Sequence, residues 1–215
     1  MCKKYRLAAV LIFVSLFFTV SSAHADIKDG WYIGGAVGGG IVNDSDYNFL
    51  NNSDNGTMEN GSGIILNAAT GYKFGMARLE GEIAYLKNDI DESTLNGIPA
   101  TAVDGDTKTL SFLVNGYLDF ENKTRFTPFI NLGLGFAKID SNLTISGTRA
   151  YDDSATVFAY QAGAGVGIDL STNWILDLKY GYFGTSDPEM SDASGNKFEF
   201  ESSNHRLSIG VRYSF

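Results

Sequence analysis

The stretch Thr156–Leu170, TVFAYQAGAGVGIDL, decides the fold. Phe158, Tyr160, Ala162, Ala164, Val166, Ile168 and Leu170 occupy every second position. Ala159, Gln161, Gly163, Gly165, Gly167 and Asp169 occupy the positions between. Side chains alternate between two faces only in an extended strand, so this spacing marks a strand with one apolar face. The glycines of Gly163-Ala164-Gly165-Val166-Gly167 keep that alternation, and no helix or Lys-Ser/Thr pair follows them. A phosphate-cradling loop needs both, so nucleotide binding is excluded here.

The same period recurs outward in both directions. Towards the C-terminus, Trp174, Leu176, Leu178, Tyr180 and Tyr182 oppose Asp177 and Lys179. In the last strand, Ser202–Phe215, the residues Leu207, Ile209, Val211, Tyr213 and Phe215 oppose Arg206, Ser208, Gly210 and Arg212. Towards the N-terminus, Arg125–Asp140, Lys108–Phe120 and Ala77–Asn88 alternate alike, the last with Leu79, Ile83 and Tyr85 against Arg78, Glu80 and Glu82. Ser62–Phe74 and Gly30–Val42 are weaker versions. That makes eight strands, and no segment carries a helical apolar period.

A soluble sandwich and a membrane barrel both fit such alternation, with the apolar face turned inward in one and towards lipid in the other. Three features favour the barrel. The strands are near the roughly 9–11 residues needed to cross a bilayer at a tilt. Tight turns at Phe74-Gly75-Met76, Glu121–Thr124 and Ser171–Asn173 alternate with long connections at about 43–61, 89–107, 141–155 and 184–201, the pattern of short periplasmic turns and long outer loops. Aromatic residues gather near strand ends, among them Trp31, Tyr32, Tyr72, Phe74, Phe120, Trp174, Tyr213 and Phe215, as interfacial girdles require. The expected fold is all-β: an eight-stranded antiparallel transmembrane up-and-down barrel over residues 26–215.

Residues 1–25 read as a cleaved secretory signal. Lys3, Lys4 and Arg6 precede the apolar run Leu7–Val20, and Ala23-His24-Ala25 offers small residues before a cut. The run is short of the roughly 20 residues of a membrane helix. Loss of three basic residues takes the net charge from −9 to −12. So acidic a chain argues against nucleic-acid partners. The single cysteine, Cys2, leaves with the signal, and only His205 of the two histidines remains.

In a barrel this narrow, side chains fill the interior. The expected inward polar cluster is Arg78, Glu80, Glu82, Asp119, Asp177, Lys179, Arg206 and Arg212. Mixed signs there can pair, which offsets desolvation.

The chain resembles the OmpA-like and opacity-protein-like small barrels of the Gram-negative outer membrane, the "porin family" of barrel domains. The matching stretches are Gly30-Trp31-Tyr32-Ile33-Gly34-Gly35, Gly71-Tyr72-Lys73-Phe74, Arg78-Leu79-Glu80-Gly81-Glu82, Pro128-Phe129-Ile130-Asn131-Leu132-Gly133-Leu134-Gly135 and the closing Val211-Arg212-Tyr213-Ser214-Phe215. The resemblance implies a cell outer membrane location, contact with outer-membrane lipid and lipopolysaccharide, and an assembly signal at Val211, Tyr213 and Phe215 read by the barrel-assembly machinery.

Catalysis is not expected. A lipid A hydrolase needs a nucleophile, a base and an orienting acid in reach of one another, but His205 is followed by Arg206 and Leu207 rather than by a His-x-Ser pair. Omptin-like proteolysis with an aspartate dyad suits a larger barrel. The outer connections are acidic, with Asp44, Asp89, Asp152 and Asp187 among many, yet none has the spacing of a calcium loop. No cofactor or metal is implied. The expected role is a non-enzymatic surface barrel meeting host or environmental ligands through four acidic loops. The alternatives are a narrow porin-like channel and, third, a lipid A-modifying enzyme.

Overall fold

The computed structural model describes the backbone of residues 29–215 apart from 43–44, 50–54, 96–97, 100–102, 146–147, 187–188, 192–196 and 201–202. Side chains are described over 29–40, 63–88, 105–142, 153–186 and 203–215. The expected signal at 1–25 and most of the acidic outer side chains lie outside these residues.

Eight long strands follow one another: β1 Gly30–Val42, β2 Asn55–Phe74, β3 Ala77–Leu95, β4 Val103–Asp119, β5 Phe126–Ile145, β6 Thr148–Asp169, β7 Trp174–Thr185 and β8 Ser203–Ser214. Each pairs antiparallel with its sequence neighbours, and β8 pairs with β1, which closes the barrel. Short strands at Ser45–Phe49, Ile98–Pro99, Glu189–Ser191 and Lys197–Phe200 extend the outer rim.

Register fixes the tilt. A path of paired residues runs from Tyr32 through Gly71, Glu80, Asn115, Gly133, Gln161, Phe183 and Asn204 and returns to β1 at Val42, ten residues further along. A stagger of that size tilts eight strands by about 40° and leaves an interior that side chains can fill.

The faces follow the sequence period. On β4, Leu110, Phe112, Val114 and Leu118 are exposed on the outside, as is Phe120 just past its end. Ser111, Leu113, Asn115, Tyr117 and Asp119 are buried inside. At about 3.3 Å per residue and this tilt, Leu110–Phe120 spans about 25 Å, the height of the apolar band of an outer-membrane barrel. Aromatic contacts mark its periplasmic edge: Trp31 meets Tyr72 edge-on at 5.4 Å, Trp174 meets Tyr213 at 4.9 Å and Tyr213 meets Phe215 at 5.3 Å.

Two expectations need correction. Tyr32 is no girdle residue: it is 1% exposed and points into the lumen. The outer connections are also shorter than their composition suggests, because β2, β3, β5 and β6 continue well beyond the apolar band. Above the membrane both faces of a hairpin are solvated, so the chain pairs its backbone without showing apolar alternation. At the other end, Gly75 supplies the turn between β2 and β3 with φ +57°, a conformation that costs other residues more. Its N–H donates to Asp29 Oδ1 at 2.8 Å, and its carbonyl accepts from Lys73 Nζ at 2.7 Å.

Candidate functional site

The lumen is where the buried polar residues converge. All eight members of the expected cluster point into it, and seven belong to two connected sets. In the first, Arg78 from the start of β3 grips Asp119 from the end of β4. Its Nε lies 2.9 and 3.1 Å from the two carboxylate oxygens, and its Nη2 donates to one of them at 2.9 Å. Both side chains are almost fully buried. The guanidinium also lies over Tyr117 at 4.1 Å and Phe129 at 5.2 Å, positions in which a cation is attracted to the ring face.

Glu80 lies two residues along β3, on the same inward face. It accepts from Tyr32 Oη at 2.9 Å, from Tyr117 Oη at 2.8 Å and from Asn115 Nδ2 at 3.4 Å. Glu82, two residues further, accepts from Asn115 at 3.0 Å, Gln161 at 3.3 Å and Lys179 at 3.4 Å. Gln161 also donates to Asn115 Oδ1 at 2.6 Å, which ties β6 to β4 across the lumen. A buried carboxylate left unpartnered costs several kcal/mol; here each has donors from two or more strands.

The second set is Arg212 on β8 with Asp177 on β7, joined by two bonds of 3.1 Å. Arg212 also approaches the Tyr32 ring at 5.3 Å, which brings it up to the first set. Arg206 stands apart, further out. It donates to Asn204 Oδ1 at 2.6 Å and lies over Phe183 at 3.7 Å. Around that ring Leu113, Ala137, Ala159 and Phe183 form a buried apolar layer with Val157 against it. Ile65 and Leu86 form a second apolar pair.

The glycines make room for this filling. A methyl at Gly133 would overlap the Asn115 carboxamide, and one at Gly165 would overlap the Phe129 ring. Among the described residues, a cavity of about 50 Å³ lies among Tyr32, Glu80, Glu82, Arg78, Lys179 and Arg212. That is room for one or two waters. Among the described residues, no group of three or more His, Cys, Asp or Glu side chains is placed to hold a metal.

Tyr32, Asn115, Tyr117 and Gln161 complete the network, and sequence reasoning did not single them out as site residues. A signal existed for Tyr117 and Asn115: they share the period-two face of Asp119. His205, by contrast, lies on the outer face as its register suggests. Its Nδ1 is 2.8 Å from Tyr180 Oη, and its ring stacks on Tyr180 and meets Tyr182 edge-on. Val211 and Phe215 are exposed on the outside of the final strand with Tyr213 between them. The Phe215 N–H donates to the Trp31 carbonyl at 3.1 Å, which holds the end of the chain against β1.

A closed eight-stranded barrel with a filled polar interior, an apolar outer band and aromatic edges is a small outer-membrane β-barrel. The chain matches the outer membrane protein beta-barrel domain over residues 9–215 and belongs to that family, whose members sit in the outer membrane of Gram-negative bacteria. It is 26% identical over 226 residues to the outer membrane protein PagN of Salmonella typhimurium, covering 90% of this chain and 93% of that protein. Among solved structures, Neisserial surface protein A superposes with a TM-score of 0.53 at 17% identity over 86% of this chain and 97% of that one. OprG from Pseudomonas aeruginosa does so with a TM-score of 0.54 at 13% identity, over 90% of this chain and all of that one. At such identities these likenesses concern the fold.

Proposed function

We propose that the protein is a non-enzymatic surface barrel whose work is done by its outer hairpins. The observation that carries this reading is the filled lumen. Arg78, Asp119, Glu80, Glu82, Lys179, Asp177, Arg212 and Arg206 are engaged with one another or with tyrosine, amide and aromatic partners, and an apolar layer lies above them. A conducting pore needs a continuous wet path, and the cavity of about 50 Å³ among these charged side chains is too small to be one. The outer hairpins rise past the apolar band on long paired strands, which gives stiff supports for surface contacts with host or environmental ligands.

The surroundings of His205 support the non-catalytic reading. Its ring packs between tyrosines on the barrel exterior, where Nδ1 is taken up by the Tyr180 hydroxyl. The outward aromatic face ending at Phe215 supports the assembly-signal role of Val211, Tyr213 and Phe215.

Planar-bilayer recording on refolded protein tests the proposal. The expected trace is flat. Stepwise openings that change when Glu82 or Lys179 is neutralised would replace it with the narrow-channel reading. Deletion of the gene is expected to leave the lipid A mass unchanged; an altered mass would favour an enzyme.

A further inference from the structure

The inward charges are not equally provided for. Arg78 has Asp119, Arg212 has Asp177 and Lys179 has Glu82. Glu80, which has no cation in bonding distance, has three neutral donors instead. Arg206 has neither provision, although it is only 8% exposed. A guanidinium carries five N–H groups and is always charged. Among the described residues, its Nε donates to Asn204 Oδ1 at 2.6 Å, and no other acceptor lies in bonding distance. The carboxylate whose field reaches it, Glu82, already accepts from Asn115, Gln161 and Lys179.

Its surroundings sharpen the imbalance. The guanidinium carbon lies 3.7 Å from the centre of the Phe183 ring, and that ring belongs to the apolar layer with Leu113, Ala137 and Ala159. A charge set beside hydrocarbon is costly unless it is paired. The ring face and the Asn204 bond offset part of that cost. They leave the four N–H groups on the two Nη atoms, a planar fork suited to an anion.

Room for one lies beside it. The cross-strand partners of Arg206 are Gly40 on β1 and Gly181 on β7, so neither neighbouring strand sets a side chain against it. A methyl added at Gly181 would meet only backbone atoms of Ala162 and Gly163, the nearer at 3.4 Å. Space of about that size is therefore open on the β7 side. The polar cavity further in is no alternative, because Glu80, Glu82 and Asp177 line it and their charges repel an anion.

We propose that Arg206 binds a small monovalent anion of chloride size in the outer half of the lumen, with Asn204 and the Phe183 ring holding the guanidinium in place. The ion does for Arg206 what Asp119 does for Arg78. A doubly charged oxyanion suits the place less well, since it is larger than the space at Gly181 and loses more hydration on entering an apolar layer.

Urea unfolding of the protein refolded into vesicles tests this, in sodium chloride and in sodium gluconate at equal ionic strength. Gluconate is too bulky for the space at Gly181, so it supplies the same screening without the ion. Wild type is expected to unfold at higher urea in chloride. Above the dissociation constant, each tenfold rise in chloride should lower the unfolding equilibrium constant by about tenfold, as the release of one ion requires. Arg206→Met should erase that dependence, and Tyr117→Phe should keep it. The chloride NMR line over folded wild type is a reading that needs no variant: it should be broadened, and should narrow on unfolding or on addition of bromide. Identical unfolding in the two salts, with an unbroadened chloride line, overturns the site and assigns the Nη groups to water. A chloride dependence that survives in Arg206→Met overturns the assignment to Arg206.

Discussion

At the level of Tyr32, Glu80 and Tyr117 the lumen is filled with paired charge; further out, at Leu113, Ala137 and Phe183, it is filled with hydrocarbon. Both fillings close the barrel, but they do so by different physics. The inner half depends on completeness. Glu80 and Glu82 each have three donors, whereas Asp119 is held by Arg78 and Asp177 by Arg212, so removal of either arginine strands a charge. The outer half depends on volume, since its members have no polar partners to lose. The apolar layer also keeps water away from the charges below it, and an ion pair such as Arg78–Asp119 gains strength in lower dielectric.

The sharpest way to break the contrast is Arg78→Met. It leaves Asp119 without its partner and removes the cation from the Tyr117 and Phe129 rings. Breaking a buried pair from one side costs about 3–5 kcal/mol. The urea midpoint of the protein refolded into vesicles should fall accordingly. The double variant Arg78→Met, Asp119→Leu should recover most of that loss, because apolar replacement of a whole buried pair is often near neutral. If the double variant is no better than the single, charge pairing is not what holds the inner half.

Phe183→Ala is the matching change in the outer half. Truncation of a buried aromatic costs about 3 kcal/mol, and here it also removes the ring beneath Arg206. No second substitution of opposite charge should rescue it, whereas a larger side chain at Ala159 should do so in part. The lumen should stay non-conducting, since the inner network is untouched; channel openings in this variant would show that the apolar layer is the seal.

Tyr117→Phe is a gentler probe of the inner half. The ring under Arg78 remains and only the hydroxyl that donates to Glu80 at 2.8 Å is lost. Bonds to charged groups contribute about 1.5–3 kcal/mol, and Glu80 keeps Tyr32 and Asn115, so a loss of about 1.5 kcal/mol is expected. A change within error would mean that water in the neighbouring cavity replaces the hydroxyl.

How much of this was legible in the sequence divides along the same line. The lipid face was fully readable, because alternation of Leu, Phe, Ile and Val against polar residues is imposed by the bilayer. The charged inner half was readable too, since Arg78, Glu80 and Glu82 occur where no outer face would tolerate them. The apolar outer half was not. Leu113 sits within Phe112-Leu113-Val114 and Ile65 within Ile64-Ile65-Leu66, runs in which the inward residue resembles its lipid-facing neighbours. Such runs weaken the period, and that weakening was the available clue to an inward hydrocarbon layer. The network partners Gln161 and Tyr32 were hidden for another reason: which residues meet across a lumen depends on the ten-residue stagger, and stagger is a property of pairing rather than of any one strand.

A third region, the rim above the membrane, should respond least, and to pH. The Asp106 carboxyl is held below the usual carboxylate range by its bonds with Lys108 and with Asn142, the latter at 2.8 Å. Lys87 adds a further favourable charge. A group whose folded-state pKa is depressed contributes stability above its unfolded value of about 3.9 and loses it as pH falls through the folded value. Acidification from about pH 5 towards pH 2 should therefore loosen the outer ends of β4 and β5, where Asp106 pairs with Asn142, before the lumen opens. The site is solvent-exposed, so the effect should be confined to local amide exchange at Thr107 and Asn142, read as the ratio between wild type and Asp106→Asn at each pH. The ratio should approach one at the acid end, where both side chains are neutral, and exceed one in favour of wild type at the upper end. A ratio that does not move with pH would remove Asp106 from the account of the rim.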